Sequence, residues 1–282
     1  MMRRMRQITA VLLAALLLHI IAADGGFSIA ILNSFGPHAL AEEEKNAFQL
    51  RFDIENRYHV SVLLGKECVG VPMSGFELQI LPRDPSLFAW MEHGEDQYTE
   101  VLRGLDKALS AYPQDFFRNF RSAAGESARL QFLIGDRIIR GGEAYGGMTA
   151  SDGAGHSSVF LAANAADIEA SVHHVLWYAM EERILLRAPM ALRDWKNLNP
   201  KDFAYEEEES ILPEEAMDPN DWFVGEDSKL NEKEDRATVF EAYMTRDDAW
   251  WEGKPHLQAK LKFLLLRIRG VFKGKGTFQS FH

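Results

Sequence analysis

"EASVHHVLWYAMEERIL" (169–185) decides how the rest of the chain is read. At ~3.6 residues per turn it forms an amphipathic helix. Ile168, Val172, Leu176, Ala179 and Ile184 make an apolar stripe, and His174, Tyr178 and Glu181 share another face. Asn164 or Asp167 is the expected cap, and Pro189 lies just past the far end. His173 points about 100° away from His174 and is expected to be packed or hydrogen-bonded. Glu182 falls on a different side, and Glu181 is expected to pair with Arg236 or to be solvated.

Upstream of this helix the patterns are mostly of period two. "HVSVLLG", "FELQILPRD", "ARLQFLIGDRII" and "SSVFLAA" read as strands. Two helices interleave with them, one in "HALAEEEKNAFQLRFDIENRYHV" and one in "DQYTEVLRGLDKALSAYPQDFFRNFRSA", broken near Pro113. "GGEAYGGMTASDGAG" reads as a glycine-rich turn or site rim, because no phosphate-binding lysine follows it. Downstream, "NEKEDRATVFEAYMT" and "PHLQAKLKFLLLRIRGVF" are helical. The acidic stretch 206–222 carries two prolines and is expected to be an exposed loop with a solvated face. Strands before residue 163 and helices after it give an α+β class, a small mixed sheet followed by a helical half.

The bulk numbers narrow the function. "MMRRMRQITAVLLAALLLHIIAADGG" has arginines at 3, 4 and 6, then an uncharged run to Ala23, then small residues. It reads as a signal over residues 1–23, since a membrane span needs ~20 apolar residues. The expected location is secreted or cell envelope, with residues 24–282 as a single domain and no membrane association once the signal is cleaved. The formal charge of 31 − 42 = −11 becomes 28 − 42 = −14 without those three arginines. A mature chain this acidic repels nucleic acid and anionic lipid. Cys68 is the sole cysteine, so no internal disulfide forms.

The histidine helix then carries the chemistry. A motif HExxH puts two histidines one turn apart so that both imidazoles reach one zinc ion, and its glutamate takes a proton from the metal-bound water. With His173–His174, "WKNLNPKDFAY" (195–205) and "FVGEDSKLNEKEDRATVFEAYM" (223–244), the chain resembles the secreted bacterial zinc-binding metallopeptidases of the gluzincin type. Their catalytic fold is similar to that of lethal-factor-like proteases. The resemblance spans roughly Ala41 to Val271, and "NEKEDRATVF" is its most specific part. It implies a metallopeptidase-like domain with His174 at the first zinc-ligand position and Glu234 at the third.

Two positions depart from that pattern. Val175 stands at the general-base position and Tyr178 at the second-ligand position, so no catalytic residue is assigned. Loss of a general base costs on the order of 10²- to 10⁴-fold in rate. A phenol of pKa ~10 is a poor zinc ligand near neutral pH. His174 and Glu234 remain as residual ligand positions, too few for tight zinc binding. The expectation is a pseudoenzyme that binds a peptide or protein in its cleft and carries no cofactor, zinc being the metal if any is bound. The alternative is an active zinc peptidase with an atypical site of His174, Tyr178 and Glu234. Tyr205 and Tyr178 are candidate oxyanion donors, Asp235 a candidate orienting group for His174, and His156 a weaker cleft candidate.

Overall fold

Leu130–Gly135 is apolar on both faces because it lies inside a sheet. A computed structural model describes residues 46–69, 75, 77–79, 96–113, 115–120, 130–151, 156–201, 203–206 and 219–272. The chain divides into Met1–Glu44 and Lys45–His282, and every described residue belongs to the second unit. The expected signal and residues 207–218 of the acidic stretch lie outside the described residues. Residues 219–222, expected to belong to that loop, form a short helix, Pro219–Trp222.

Seven strands are described: β1 (Ser61–Leu64), β2 (Glu77–Gln79), β3 (Leu130–Gly135), β4 (Arg137–Arg140), β5 (Glu143–Tyr145), β6 (Gly147–Ser151) and β7 (Ser157–Ala162). The main sheet has the order β1-β3-β7-β6. β1, β3 and β7 are parallel, and β6 runs antiparallel along the edge. A second, antiparallel sheet is ordered β2-β4-β5. Phe132, Ile134, Val159 and Leu161 face the main core, whereas Leu133, Phe160 and Ala162 face a smaller cluster with Leu78, Ile138 and Cys68. Burial pushes the Cys68 thiol up to about 12, so it is an inert apolar group.

The main longer helices are α1 (Ala47–Tyr58), α2 (Asp96–Ser110), α3 (Ile168–Arg187), α4 (Glu232–Thr245) and α5 (Pro255–Val271). Asp167 caps α3, its side chain accepting from Ala170 N at 2.9 Å. α3 packs along β6 and β7 on one side and against α2, α4 and α5 on the others. The approach to α2 is close: a Cβ on Gly104 would lie 2.7 Å from Ile168 Cγ2. The domain is thus a mixed α+β unit with small sheets and a helical second half.

Two local expectations are corrected. "ARLQFLIGDRII" is two strands, β3 and β4, in different sheets; the chain turns at Asp136, whose N–H donates to Gln79 O at 3.0 Å. Gly135 and Asp136, between two apolar runs, are the available signal for that turn. The glycine-rich stretch, expected as a turn or site rim, is mostly strand in its described residues, for it contains β5 and β6. Gly141 (φ 60°) and Gly142 (φ 89°) make a two-residue hairpin turn between Arg140 and Glu143. Both central residues need positive φ there, which glycine alone adopts freely.

Candidate functional site

Consecutive residues of "EDR" at the start of α4 enter separate polar networks. Asn231 caps the helix, accepting from Lys233 N and Glu234 N at 2.9 Å each, and this fixes the rotational phase of α4. Glu234 faces α3, where His174 and Tyr178 sit one turn apart. His174 Nε2 lies 3.1 Å from Glu234 Oε2 and 2.9 Å from Tyr178 Oη. Tyr178 Oη donates to Glu234 Oε1 at 2.5 Å. His174, Glu234 and Tyr178 are therefore brought together, as the resemblance implies.

Glu241 completes this group and was missed by sequence reasoning. Its Oε2 lies 2.9 Å from His174 Nδ1, on the far side of the ring from Glu234. Glu234 and Glu241 are two turns apart on one face of α4, and that spacing was the available signal. Burial pulls the His174 pKa down, but hydrogen bonds and charges from Glu234 and Glu241 outweigh it and push it up to about 9. His174 is thus an imidazolium near neutral pH, donating from both nitrogens. Burial opposes ionisation of Glu234, yet the bonds from His174 and Tyr178 win and hold its carboxyl low. Burial first, and then the Glu234 charge, keep the Tyr178 phenol protonated well above its ordinary range.

These residues do not fit a catalytic zinc. Such an ion takes three protein donors in deprotonated form. Here the donor set is one imidazole, one carboxylate and a phenol, whose proton is held well above its ordinary range by burial and the Glu234 charge. Glu241 cannot serve as a third, because it lies on the opposite ring nitrogen. Zinc with ligands at 2.0–2.1 Å holds them about 3.3 Å apart; the tyrosine and glutamate oxygens are 2.5 Å apart, the distance of a charge-assisted O–H···O bond. Among the described residues no three His, Cys, Asp or Glu side chains form a group that could hold a metal ion.

Val175 is equally unsuited to the general-base role. It is 2% exposed and packs beneath β6. A Cβ on Gly147 would lie 2.7 Å from Val175 Cγ1, so strand and helix touch through glycine. Thr149 Oγ1 donates to Val175 O at 2.7 Å and fixes the same contact.

The remaining candidates lie elsewhere. Asp235 does not orient His174; it is fully buried and takes Lys260 Nζ at 2.8 and 3.0 Å, Trp195 Nε1 at 2.9 Å and Tyr205 Oη at 2.8 Å. Tyr205 is therefore a structural donor on Asp235 and not an oxyanion donor. Glu234 on α4 faces α3, whereas Asp235, about 100° further round, faces α5. Arg236 holds Glu181 through Nε at 2.8 Å and Nη2 at 2.9 Å. His173 is fully buried with Nδ1 3.0 Å from Tyr112 Oη, and burial lowers its pKa to about 4. Glu182 lies away from His174 and accepts from Ser151 Oγ. His156 lies just before β7 and does not line the cleft beside Tyr178. Among the described residues no helix is long and apolar enough to cross a membrane.

That cleft has a volume of about 460 Å³ and lies between β6 and α3, with Thr149, Ser151, Tyr178, Leu185 and Lys233 in its walls. Gly146 O accepts from Ala162 N at 3.0 Å, so the antiparallel alternation turns the backbone groups of Gly147, Thr149 and Ser151 away from β7. Searches with the sequence and the structure found no matching family model, curated protein or solved structure.

Proposed function

We propose that this chain is a secreted or cell-envelope protein built on a gluzincin-type metallopeptidase scaffold that binds a peptide or protein without cutting it. The observation that carries this reading is the closed His174–Tyr178–Glu234 network, held by protons at the positions that the resemblance gives to zinc ligands. Val175, apolar and packed under Gly147, supplies no proton acceptor at the position that the resemblance gives to the general base. Binding needs neither group. A peptide adds as a strand to the outward edge of β6, and the cleft receives its side chains.

The second reading is an active zinc peptidase using His174, Tyr178 and Glu234. One observation favours it: Glu241 on His174 Nδ1 matches the carboxylate that orients a metal-ligating histidine. A peptide-library digest with and without chelator separates the two. The proposal expects bound, uncleaved peptides in both conditions; chelator-sensitive cleavage establishes the alternative. The double substitution Val175→Glu with Tyr178→His rebuilds HExxH on α3 and is expected to take up zinc, measured by elemental analysis. A folded double variant that takes up none would show that His174 and Glu234 are not ligand positions.

A further inference from the structure

We propose that a peptide lying along β6 is selected for a basic residue, arginine or lysine, opposite Ser151, whose side chain enters the cleft and pairs with Glu182. This rests on the peptide-binding reading above and adds the class of peptide.

The two edges of the main sheet differ. On β1 the N–H groups turned away from β3 are already taken: Val62 N donates to Glu55 Oε1 at 2.9 Å and Leu64 N to Glu67 Oε2 at 3.0 Å. Arg51 pairs with both carboxylates, at 3.6 Å and 2.6 Å. Side chains thus close that edge to a further strand. On β6 the outward backbone groups of Gly147 and Thr149 have no partner among the described residues. Strand addition to the main sheet therefore belongs to β6.

The side chains of β6 then set which residue of a peptide meets which wall. Thr149 and Ser151 point to the α3 side: Thr149 Oγ1 donates to Val175 O at 2.7 Å, and Ser151 Oγ donates to Glu182 Oε1. Directly opposite residues on neighbouring strands point to the same face, with Cβ atoms ~4.5–5.5 Å apart. A side chain opposite Ser151 therefore enters the cleft that Thr149, Ser151 and Glu182 line together. There it meets the carboxylate that Ser151 already touches.

Glu182 has no cation of its own. Glu181 beside it is matched by two Arg236 nitrogens and by Trp177 Nε1. Glu182 has the Ser151 hydroxyl alone, and among the described residues no cation lies within ion-pair distance of it. The next arginines of α3 are turned to backbone carbonyls, Arg183 to Asn119 O at 3.2 Å and Arg187 to Val271 O at 2.7 Å. Lys233, also in the cleft wall, stands 4.4 Å from the Tyr178 ring centroid, and its charge bears on Glu234. A hydroxyl neutralises no charge, so a guanidinium or ammonium brought by a peptide gains a charge-assisted bond while Ser151 keeps its own. The formal charge of −11 on the whole chain favours the approach of a cationic peptide as well.

The test is a titration followed by amide NMR on the full chain. The ligands are acetyl-Ala-Ala-Arg-Ala-Ala amide and the same peptide with citrulline, a neutral isostere of arginine, or with glutamate in the middle. The arginine peptide is expected to bind roughly tenfold tighter than the citrulline peptide, with shifts at Thr149, Ser151 and Glu182 and with the preference fading as salt is added. Glu182→Gln should bring those two peptides level, and Glu182→Lys should favour the glutamate peptide. The comparison of peptides on the unaltered protein stands whether or not either variant folds. Equal binding of the arginine and citrulline peptides at β6 overturns the charge assignment and leaves strand addition standing. An arginine preference that survives Glu182→Gln overturns Glu182 as its source. Shifts at β6 with none of the three peptides count against both the assignment and the peptide-binding reading.

Discussion

Glu234 and Asp235 are adjacent in α4 and serve opposite kinds of polar site. Asp235 and Lys260 are both fully buried, and aromatic donors close the space around them. Glu234 and His174 keep 27% and 20% of their side chains exposed, and their partner Tyr178 lines the cleft. The first site ties α4 to α5 and to Trp195 and has no access for a ligand. The second ties α4 to α3 and faces solvent. Burial raises Asp235 and lowers Lys260, the mark of an expensive pair kept for architecture. Sequence proximity thus says little about role: one step round the helix separates scaffold from candidate site.

The sharpest way to break this contrast is to remove one partner from each. Asp235→Ala leaves Lys260 buried and unpaired and is expected to cost about 3–5 kcal/mol in urea unfolding. Replacing both, Asp235→Leu with Lys260→Met, should recover most of that. The next effect is in pH. His174 is raised from 6.5 to about 9, so its contribution, roughly 3 kcal/mol, is complete below pH 6.5 and is lost as pH rises through about 9. Melting temperature should fall across that window, and His174→Gln should flatten the fall. His173 has the opposite sign. Its pKa is lowered to about 4, so its contribution is present above pH 6.5 and declines as pH falls toward 4. The smallest expected loss is at Glu234→Gln, about 1–2 kcal/mol by urea unfolding, because water reaches the groups left behind. A loss there equal to that of Asp235→Ala would erase the distinction between the sites.

Much of this arrangement is legible in the sequence alone. The period of "EASVHHVLWYAMEERIL" gives α3 and its face bearing His174 and Tyr178, and of the two expected caps, Asn164 and Asp167, it is Asp167 that caps it. The meeting of His174 with Glu234 is expected only from the family resemblance, and the pairing of Glu181 with Arg236 is one of two readings that opposite charge allows. The hidden part is longer in range. Nothing local tells Asp235 from Glu234, because the choice depends on where Lys260, 25 residues later in α5, comes to lie. Glu241 escapes notice because it follows the motif by two turns. The Gly141–Gly142 turn is readable as a hairpin but is masked by four more glycines in the same stretch.

Incubation of the unaltered protein with zinc, exhaustive dialysis at neutral pH and elemental analysis test the central claim most directly. With His174 charged between two carboxylates and Tyr178 protonated, retention should be far below one ion per chain and the same in His174→Ala. One tightly held zinc per chain, lost in His174→Ala, would contradict the account.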